Sequence, residues 1–348
     1  MATTSTNAPY KAKETLTQMN MKAVSLLSGG LDSLIATKII VEQGIEVEAL
    51  HFTSPFCTCS KGNKGCGIQA VRSAKELGIE VNVRTKGLDY LEIVKKPRHG
   101  YGRAMNPCID CRIFMLKHAR QFMDEIGASF IITGEVLGQR PMSQRTDTLR
   151  LIERESSLEG LIVRPLSARH FPPTIPEQEG IVNREKLLGI TGRSRKGQYE
   201  FVHSHGLTEF SCPGGGCLLT DPIFARKLKD LFTYQPEYTM RDVALLKIGR
   251  HFRLGKETKV ILGKNQEENN RLTTFHVAPS FLLSPVGFKG PVGLMIGTLY
   301  DDALKQAANL MAYYGKSSSS PVTVKSNNGT DTIHVVERQH IDIDNLII

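Results

Sequence analysis

The stretch Ser28-Gly-Gly-Leu-Asp-Ser33 decides the fold of this chain. It follows a short apolar run, Lys22 to Leu27, and precedes an apolar-periodic segment that ends at Gly44, a pattern that predicts strand, tight loop and helix. Glycines let the backbone turn sharply and bring several N–H groups to one point, and the helix N-terminus adds partial positive charge. We therefore expect a phosphate-binding loop. The Gly-Lys-Ser/Thr ending of a P-loop is missing from it, so transfer of a γ-phosphate is not expected.

Strands and helices alternate along the residues that follow this loop. Strands are predicted at 47–52, 79–83 and 129–133, and helices at 69–77 and 107–126. This order implies an α/β fold with a doubly wound parallel sheet, which binds ligands at the carboxyl ends of its strands. The prediction divides the chain into a flexible arm (1–20), a first domain (21–225), a linker (226–240) and a second, smaller α+β domain (241–348).

The charge of the chain favours a polyanionic partner. Its 348 residues carry a formal net charge of +9, and each phosphate contact made by Lys or Arg releases a condensed counterion. The sequence contains no apolar run of the roughly 18 residues that a membrane span needs, and it does not open like a secretory signal. We therefore expect a cytoplasmic protein that does not contact membranes.

The six-residue loop resembles the signature Ser-Gly-Gly-x-Asp-Ser of the PP-loop ATP pyrophosphatases. The resemblance implies a fold of the adenine nucleotide alpha hydrolase type and an enzyme that adenylates a substrate oxygen with ATP. By position, the residues expected to bind the pyrophosphate of ATP are Ser28, Gly29, Gly30, Asp32 and Ser33, with Asp32 also associated with Mg²⁺.

A second stretch resembles the nucleotide-binding domain of tRNA 4-thiouridine synthetases (tRNA sulfurtransferases). It comprises Ile132-Thr-Gly-Glu-Val-Leu-Gly-Gln139, Ser143-Gln144, Leu149-Arg-Leu151 and Ile162-Val-Arg-Pro-Leu166. The resemblance covers about residues 21–225. It implies that Gly134, Glu135 and Gln139 lie near the adenylate and that Ser143 and Gln144 lie near the target base of a tRNA.

The activity implied by this resemblance is ATP-dependent replacement of a uridine carbonyl oxygen by sulfur, giving 4-thiouridine. Two alternatives stay open. One is a thiolase that forms 2-thiouridine or another thiolated tRNA base. The other is a ligase of the same nucleotide fold that joins ammonia to a small carboxylate, which would need neither the cysteine groups nor the basic C-terminal segment.

The seven cysteines of the chain fall into close groups, which favours metal or sulfur chemistry over disulfides in a cytosolic protein. Asn106-Pro107-Cys108-Ile-Asp-Cys111 is expected to open a helix, with Asn106 as N-cap and Pro107 at the first helical position. Cys108 and Cys111 then share one face of the first turn, where the helix N-terminus lowers the pKa of a thiol. A third group contains Cys212 and Cys217 around a glycine run.

Some related thiolases hold a [4Fe–4S] cluster on three cysteines, with one iron left free for exogenous sulfide. The resemblance implies Cys108, Cys111 and Cys212 as ligands, with Cys217 as the alternative third ligand. The expected catalytic residues are Asp32, Cys108, Cys111 and Cys212, and the expected sulfur donor is sulfide or a cysteine desulfurase. A chain persulfide, a zinc site and buried structural thiols remain alternatives, and the role of Cys57, Cys59 and Cys66 stays open.

The C-terminal segment is rich in basic residues and resembles the RNA-binding domain of NFACT proteins through Gly249 to Gly255 and Leu262 to Arg271. Lys and Arg position phosphates, and an aromatic side chain can stack on a base, for which His251 and Phe252 are candidates. A solvated charged surface is the alternative. The residues expected to bind RNA here are Lys247, Arg250, Arg253, Lys256 and Lys259. The oligomeric state is open, with a homodimer as one option.

Overall fold

The computed structural model describes residues 21–58, 66–211 and 216–348. The chain splits into two compact units, of which the first comprises Met1–Gly102 with Pro107–Gly216 and the second Arg103–Asn106 with Cys217–Ile348. The arm predicted at residues 1–20 lies outside the described residues, as do Cys59 and Cys212. In the part of the chain that is described, no helix is both long and apolar enough to cross a membrane.

The first unit is built on a five-stranded sheet in which every neighbouring pair of strands is parallel. Its strands are β1 (Lys22–Leu26), β2 (Glu46–Thr53), β3 (Glu80–Thr85), β4 (Phe130–Thr133) and β5 (Ile162–Val163). They lie in the order β3-β2-β1-β4-β5. The chain builds outward from β1 in one direction and then returns to place β4 on its other side. The crevice between the carboxyl ends of β1 and β4 is therefore where ligands are expected.

Helices cover both faces of this sheet, as the predicted doubly wound fold requires. They are α1 (Leu31–Val41), α2 (Cys66–Leu77), α3 (Leu88–Lys95), α4 (Cys108–Glu125), α5 (Thr146–Glu155), α6 (Ile175–Gln178) and α7 (Lys196–Ser204). Strand β4 shows how the two cores arise, because successive side chains point to opposite faces. Phe130 and Ile132 pack with α1, whereas Ile131 packs with α4 and α5. The predicted α/β fold class is confirmed.

The second unit contains a six-stranded antiparallel sheet in the order β11-β10-β8-β9-β7-β6. Its strands are β6 (Arg250–Arg253), β7 (Lys259–Leu262), β8 (Phe281–Val286), β9 (Gly293–Ile296), β10 (Val322–Asn327) and β11 (Asp331–Val336). Its helices are α8 (Pro222–Tyr234), α9 (Met240–Leu245), α10 (Gln266–Thr274), α11 (Asp301–Tyr314) and α12 (Ile343–Leu346). The buried side of α11 forms one core with this sheet, and Leu272 of α10 belongs to another. This is the smaller α+β domain that was expected.

The structure differs from the linker predicted at residues 226–240. Most of that segment belongs to α8, which the carboxylate of Asp221 caps by accepting hydrogen bonds from the N–H groups of Ile223 and Phe224. The helix buries Phe224, Leu228 and other residues and belongs to the second unit.

Candidate functional site

The loop between β1 and α1 has the geometry expected of an anion-binding turn. Gly29 adopts a φ of +75°, and a Cβ atom there would lie 2.7 Å from the backbone nitrogen of Ala70 in α2, so only glycine fits. Helix α1 starts at Leu31, and its N-cap residue, Gly30, supplies no side-chain cap. The first N–H groups of α1 therefore keep their capacity to bind a phosphate.

The two serines of the loop are hydrogen-bonded to each other and to the turn. The Oγ atoms of Ser28 and Ser33 are 2.9 Å apart, the N–H of Ser28 donates to Ser33 Oγ at 3.2 Å, and Ser33 Oγ donates to the carbonyl of Gly30 at 2.9 Å. These contacts fix the loop before any ligand arrives. Preorganised donors of this kind cost little reorganisation when charge develops on a bound group.

Asp32 is held by two neutral amide side chains. Gln139 Nε2 donates to Asp32 Oδ2 at 2.7 Å, and Gln198 Nε2 donates to Asp32 Oδ1 at 3.2 Å. The contact brings Gln139, predicted from the resemblance, next to the loop. Gln198 of α7 was not predicted; it is fully buried, and its own Oε1 has no hydrogen-bond partner. These amides orient the Asp32 carboxylate without neutralising it.

Gly134, just after β4, packs closely against the first turn of α1. A Cβ atom on Gly134 would lie 2.5 Å from the nitrogen of Ser33 and 2.6 Å from the carbonyl carbon of Asp32. Real Cβ atoms do not approach backbone so closely, so glycine is needed here for contact rather than for φ. Gly134 thus lies beside the loop.

Glu135 supports the site from inside the protein. It is 2% exposed, its Oε1 accepts hydrogen bonds from Arg112 at 2.6 and 3.0 Å, and its Oε2 accepts one from Arg164 at 3.0 Å. Burial alone would raise the pKa of this carboxyl, but the charges of Arg112 and Arg164 outweigh it and lower the pKa to about 2. Arginines contact both side-chain oxygens, and the expected position of Glu135 near the adenylate stays a prediction.

Ser143 and Gln144, the residues expected near the target base, are both buried. Their segment is closed by a 2.7 Å hydrogen bond from the N–H of Gly138 to the carbonyl of Gln144. Gln144 Oε1 is buried without a partner. The structure brings the pair into the first unit beyond β4, and their contact with a base stays a prediction.

Cys108 and Cys111 lie on the first turn of α4. The helix begins at Cys108 with Pro107 as N-cap, one residue later than the sequence predicted, and no side chain caps it. Between the two thiols, the carboxylate of Asp110 accepts hydrogen bonds from the N–H groups of Arg98 and His99, at 3.1 and 3.0 Å. The preceding loop is thereby fastened to the turn that carries both thiols.

Lys86, which the sequence analysis did not single out, contacts Cys111. Its Nζ donates to Cys111 Sγ at 3.1 Å and lies 4.7 Å from the ring centroid of Tyr90, and the side chain is buried. Burial of Cys111 opposes ionisation of its thiol, but the charge and hydrogen bond of Lys86 help to outweigh it and lower the pKa of Cys111. This thiol is therefore prepared to act as a ligand or a nucleophile.

The chain leading to Cys212 is attached to the pyrophosphate loop. The N–H and Oγ of Ser211 donate to the carbonyl of Gly29 at 2.8 and 3.0 Å. Beyond the glycine run, the carbonyl of Gly216 accepts hydrogen bonds from the N–H and Oγ1 of Thr58. Cys212 itself lies outside the described residues, and within the described ones no three His, Cys, Asp or Glu side chains form a metal-binding group. Cys217 belongs to the second unit.

Two other features of the first unit are the cysteine group at residues 57–66 and His205. Cys57 is half-buried, while Cys59 and the side chain of Cys66 lie outside the described residues. His205 stacks on Phe201, with ring centroids 3.9 Å apart, and its Nδ1 lies 2.8 Å from the Phe201 carbonyl oxygen. These contacts hold the imidazole ring of His205 at the end of α7.

The basic residues of the second unit differ in their surroundings. Lys256 is exposed, and the guanidinium of Arg250 lies over the ring of Tyr314 at 4.5 Å. Arg253 forms a two-bond ion pair with Asp230. Lys259, by contrast, is 4% exposed, and burial lowers its pKa to about 8.

Lys259 is thus not presented to a ligand, contrary to the sequence prediction. His251 and Phe252, the candidates for stacking on bases, are buried as well, with Phe252 in the core that α11 forms with the sheet. The periodicity of a four-residue strand was too short to show which side chains face inward. Lys247 and Arg250 are half-buried, so Lys256 is the most accessible of the five predicted contacts.

Two family models match separate parts of the chain. Residues 18–171 match the thiamine biosynthesis protein (ThiI) family, and residues 249–345 match the NFACT protein RNA-binding domain. The first match contains the pyrophosphate loop, both thiols of α4 and the end of β4. The second contains the strands of the antiparallel sheet.

Curated relatives resemble the chain at similar levels of identity. A probable tRNA sulfurtransferase of Lysinibacillus sphaericus is 32% identical over 147 residues, which are 42% of this chain and 35% of that protein. One of Thermococcus kodakarensis is 31% identical over 168 residues, 48% of this chain and 41% of that protein. The matched region thus spans about two-fifths of the length of these relatives.

Among solved structures, the chain resembles a 4-thiouridine synthetase–RNA complex with bound ATP. The identity is 24% and the TM-score 0.36, over 65% of this chain and 51% of that one. A score at this level does not establish a shared fold, so the assignment rests on the sequence matches. By those matches, residues 18–171 resemble the ThiI family and residues 249–345 resemble the NFACT RNA-binding domain.

Proposed function

We propose that this chain is an ATP-dependent tRNA sulfurtransferase that replaces a uridine carbonyl oxygen by sulfur, with 4-thiouridine as the product. One observation carries the proposal: the loop that would bind pyrophosphate is hydrogen-bonded through Gly29 to Ser211, the residue before Cys212. A nucleotide-activating loop and a cysteine-bearing segment are thereby attached to each other. The named relatives, probable tRNA sulfurtransferases, support the same activity.

The reaction has two steps. The uridine carbonyl oxygen attacks the α-phosphorus of ATP, and the bond to pyrophosphate breaks. A sulfur nucleophile then adds to the activated carbon, and AMP departs with the original oxygen. In this scheme the loop residues Ser28, Gly29, Gly30 and Ser33 bind the departing pyrophosphate, while Asp32 supplies a negative charge for the Mg²⁺ that accompanies ATP.

The donor set of the first unit fits a [4Fe–4S] cluster. Such clusters bind cysteine thiolates, and Cys108 and Cys111 are two thiols on one helical turn, with Cys212 proposed as the third ligand. Lys86 supports the proposal because its charge favours the thiolate form that ligation requires. When bound, the cluster would supply an iron without a protein ligand, at which sulfide can be held.

A chain persulfide is the alternative sulfur carrier, favoured by the same lowered pKa of Cys111. In that route a cysteine desulfurase loads the sulfur, and the terminal persulfide sulfur bonds to the activated carbon as AMP leaves. A second thiol of the set then attacks the cysteine sulfur of this adduct, so that the S–S bond breaks, the thiolated base is released and a disulfide forms, which an external thiol reduces before the next turnover. Anaerobic protein with absorbance near 400 nm and bound iron supports the cluster. Colourless protein that becomes active with a desulfurase, and not with sulfide, supports the persulfide.

We further propose that the second unit binds the body of the tRNA. Its support is the match to the NFACT RNA-binding family together with accessible basic residues such as Lys256. We assign the protein to the cytoplasm, where unmodified tRNA and ATP are both present.

The test is a reconstituted reaction. Anaerobically purified full-length protein is incubated with ATP, Mg²⁺, sulfide or a desulfurase with cysteine, and unmodified tRNA, and the nucleosides are separated by mass spectrometry. We expect 4-thiouridine and one AMP for each sulfur incorporated, and neither with Asp32→Asn. Formation of 2-thiouridine instead identifies the other thiolase. Release of AMP with ammonia and a carboxylate, but not with tRNA, refutes the proposal in favour of the ligase.

A further inference from the structure

We propose that a cavity in the first unit binds one unmodified base of the RNA substrate. The inference rests on the proposed function, since it assigns a subsite for the same RNA. The cavity has a volume of about 200 Å³ and lies between α5 and the chain that follows β5. The lining residues that carry the inference are Leu149, Arg150, Glu153, Ile162, Arg164 and Phe171.

The size of the cavity restricts its ligand. Pockets for drug-sized molecules measure roughly 300–1,000 Å³, and this one is smaller. It suits a single planar ring system and not a whole nucleotide. The sugar and phosphate of a bound nucleotide would then remain outside, next to the exposed side chain of Arg150. Contacts of Arg with phosphate fix the position of a nucleic acid without reading its sequence.

The apolar part of the lining suits a ring that has left its stack. Leu149 and Ile162 are each 1% exposed, and Phe171 is half-buried beside two exposed prolines, Pro172 and Pro173. Proteins that recognise single-stranded RNA splay out individual bases and pack them against aromatic side chains or arginine planes. Here both are present, because the guanidinium of Arg164 lies over the Phe171 ring at 5.6 Å.

Arg164 is one of the polar residues that line the cavity. Arg164 is 5% exposed; its Nε donates to Glu135 at 3.0 Å and its Nη1 to Glu153, but its buried Nη2 has no partner among the residues that the structure describes. A buried N–H without an acceptor is costly, and a ligand oxygen beside it removes that cost. Among the bases, uracil, cytosine and guanine carry an exocyclic carbonyl oxygen, so these three fit the cavity better than adenine.

The base held in this cavity is not the one that reacts. Of the residues that the structure describes, those lining the cavity include no cysteine and no member of the pyrophosphate loop. Arg164 nevertheless shares Glu135 with Arg112, the neighbour of Cys111 in α4. A base bound at Arg164 is thus tied through two ion pairs to the helix that carries the thiols. The cavity would fix where the RNA lies relative to that helix.

Binding of a fluorescent, unmodified tRNA transcript to the full-length protein tests this proposal. Phe171→Leu keeps an apolar side chain but removes the ring on which the base would stack, so we expect the Kd to rise about tenfold. Arg150→Glu should raise it as well. Arg154→Glu is the matched control, because it makes the same charge change on the same helix, at an exposed residue outside the cavity lining, and it should bind close to wild type.

A scan of single abasic sites along the transcript makes the test specific. We expect one position at which removal of the base weakens binding by wild type but not by Phe171→Leu, since the two changes delete the same contact. Equal losses in both proteins at every position overturn the proposal. The proposal is also overturned if Arg150→Glu and Arg154→Glu bind the transcript with the same Kd. Both substitutions are at exposed residues, so this comparison remains possible even if Phe171→Leu fails to fold.

Thiolation of the transcript by wild type, measured on the same samples, distinguishes failure of the proposed function from failure of the cavity assignment. If wild type binds the transcript but forms no thiolated nucleoside, the proposed function is refuted. If wild type thiolates the transcript and the cavity variants bind it normally, only the cavity assignment is refuted.

Discussion

Replacing Glu135 by glutamine removes one negative charge from between two buried or half-buried arginines. The pKa of Glu135 is lowered from 4.5 to about 2, and a tenfold change in an ionisation constant corresponds to about 1.4 kcal/mol, so the ionised carboxylate contributes on the order of 3 kcal/mol to folding. Removing one partner of a buried ion pair costs a similar amount, about 3–5 kcal/mol, because the other charge is left uncompensated. We therefore expect Glu135→Gln to lower the free energy of unfolding by about 3 kcal/mol at pH 7.

The contribution of Glu135 to the free energy of unfolding should depend on pH in a defined direction. Because the folded-state pKa of Glu135 is depressed, its contribution is present above the unfolded-state pKa near 4.5 and is lost as the pH falls through about 2. The difference in the free energy of unfolding between wild type and Glu135→Gln should therefore be constant from pH 7 to about 5.5 and become smaller below pH 4.5.

Urea unfolding followed by circular dichroism at several pH values measures this difference, and Glu159→Gln, at an exposed glutamate in the same unit, is the control. A loss of less than about 1 kcal/mol at pH 7 would show that the arginines have other partners when Glu135 is gone. A difference that stays constant from pH 5 to pH 3 would contradict the assignment of the effect to the carboxylate charge.

Three further predictions concern the loop, the thiol and the RNA contacts. Gly134→Ala should abolish ATP binding measured by calorimetry, because the added Cβ would lie 2.5 Å from the backbone nitrogen of Ser33. Lys86→Met should raise the pKa of Cys111 and slow its alkylation by iodoacetamide about tenfold at pH 7 in metal-free protein, as read by mass spectrometry, whereas Lys86→Arg should retain most of the rate. Lys256→Glu should weaken tRNA binding and reduce the salt dependence of the logarithm of the binding constant by about one or two ions.

The fold and the position of the site follow from local patterns in the sequence. Strands β1 and β4 are short, largely apolar runs, and the loop after β1 needs glycine at Gly29 for its φ of +75°. Such requirements act within a few residues of the motif. They can therefore be predicted without knowing what the rest of the chain does.

The residues that sequence reasoning missed act over long separations. Gln198 reaches Asp32 across 166 residues, and Lys86 reaches Cys111 across 25. Glutamine and lysine are common surface residues, so nothing in their local sequence sets them apart. The second unit shows the reverse error: Lys259 stands in a basic segment that suggests an exposed surface, yet it begins a buried strand, β7. Burial of a charged side chain depends on what packs over it, which a single sequence does not reveal.

Asp32 and Glu135 are two carboxylates at the same edge of the sheet that differ in their hydrogen-bond donors. Glu135 accepts hydrogen bonds from two arginines, so its charge is cancelled by fixed cations and serves only to hold β4 against its neighbours. Asp32 accepts hydrogen bonds from Gln139 and Gln198, and these two neutral amides orient it without bringing a positive charge to it. A divalent cation gains most from a carboxylate that is oriented and still anionic. We therefore propose that, of the two, Asp32 is the carboxylate that would associate with the Mg²⁺ of ATP, and we expect a cationic residue in place of Gln198 to weaken that association while leaving the loop intact.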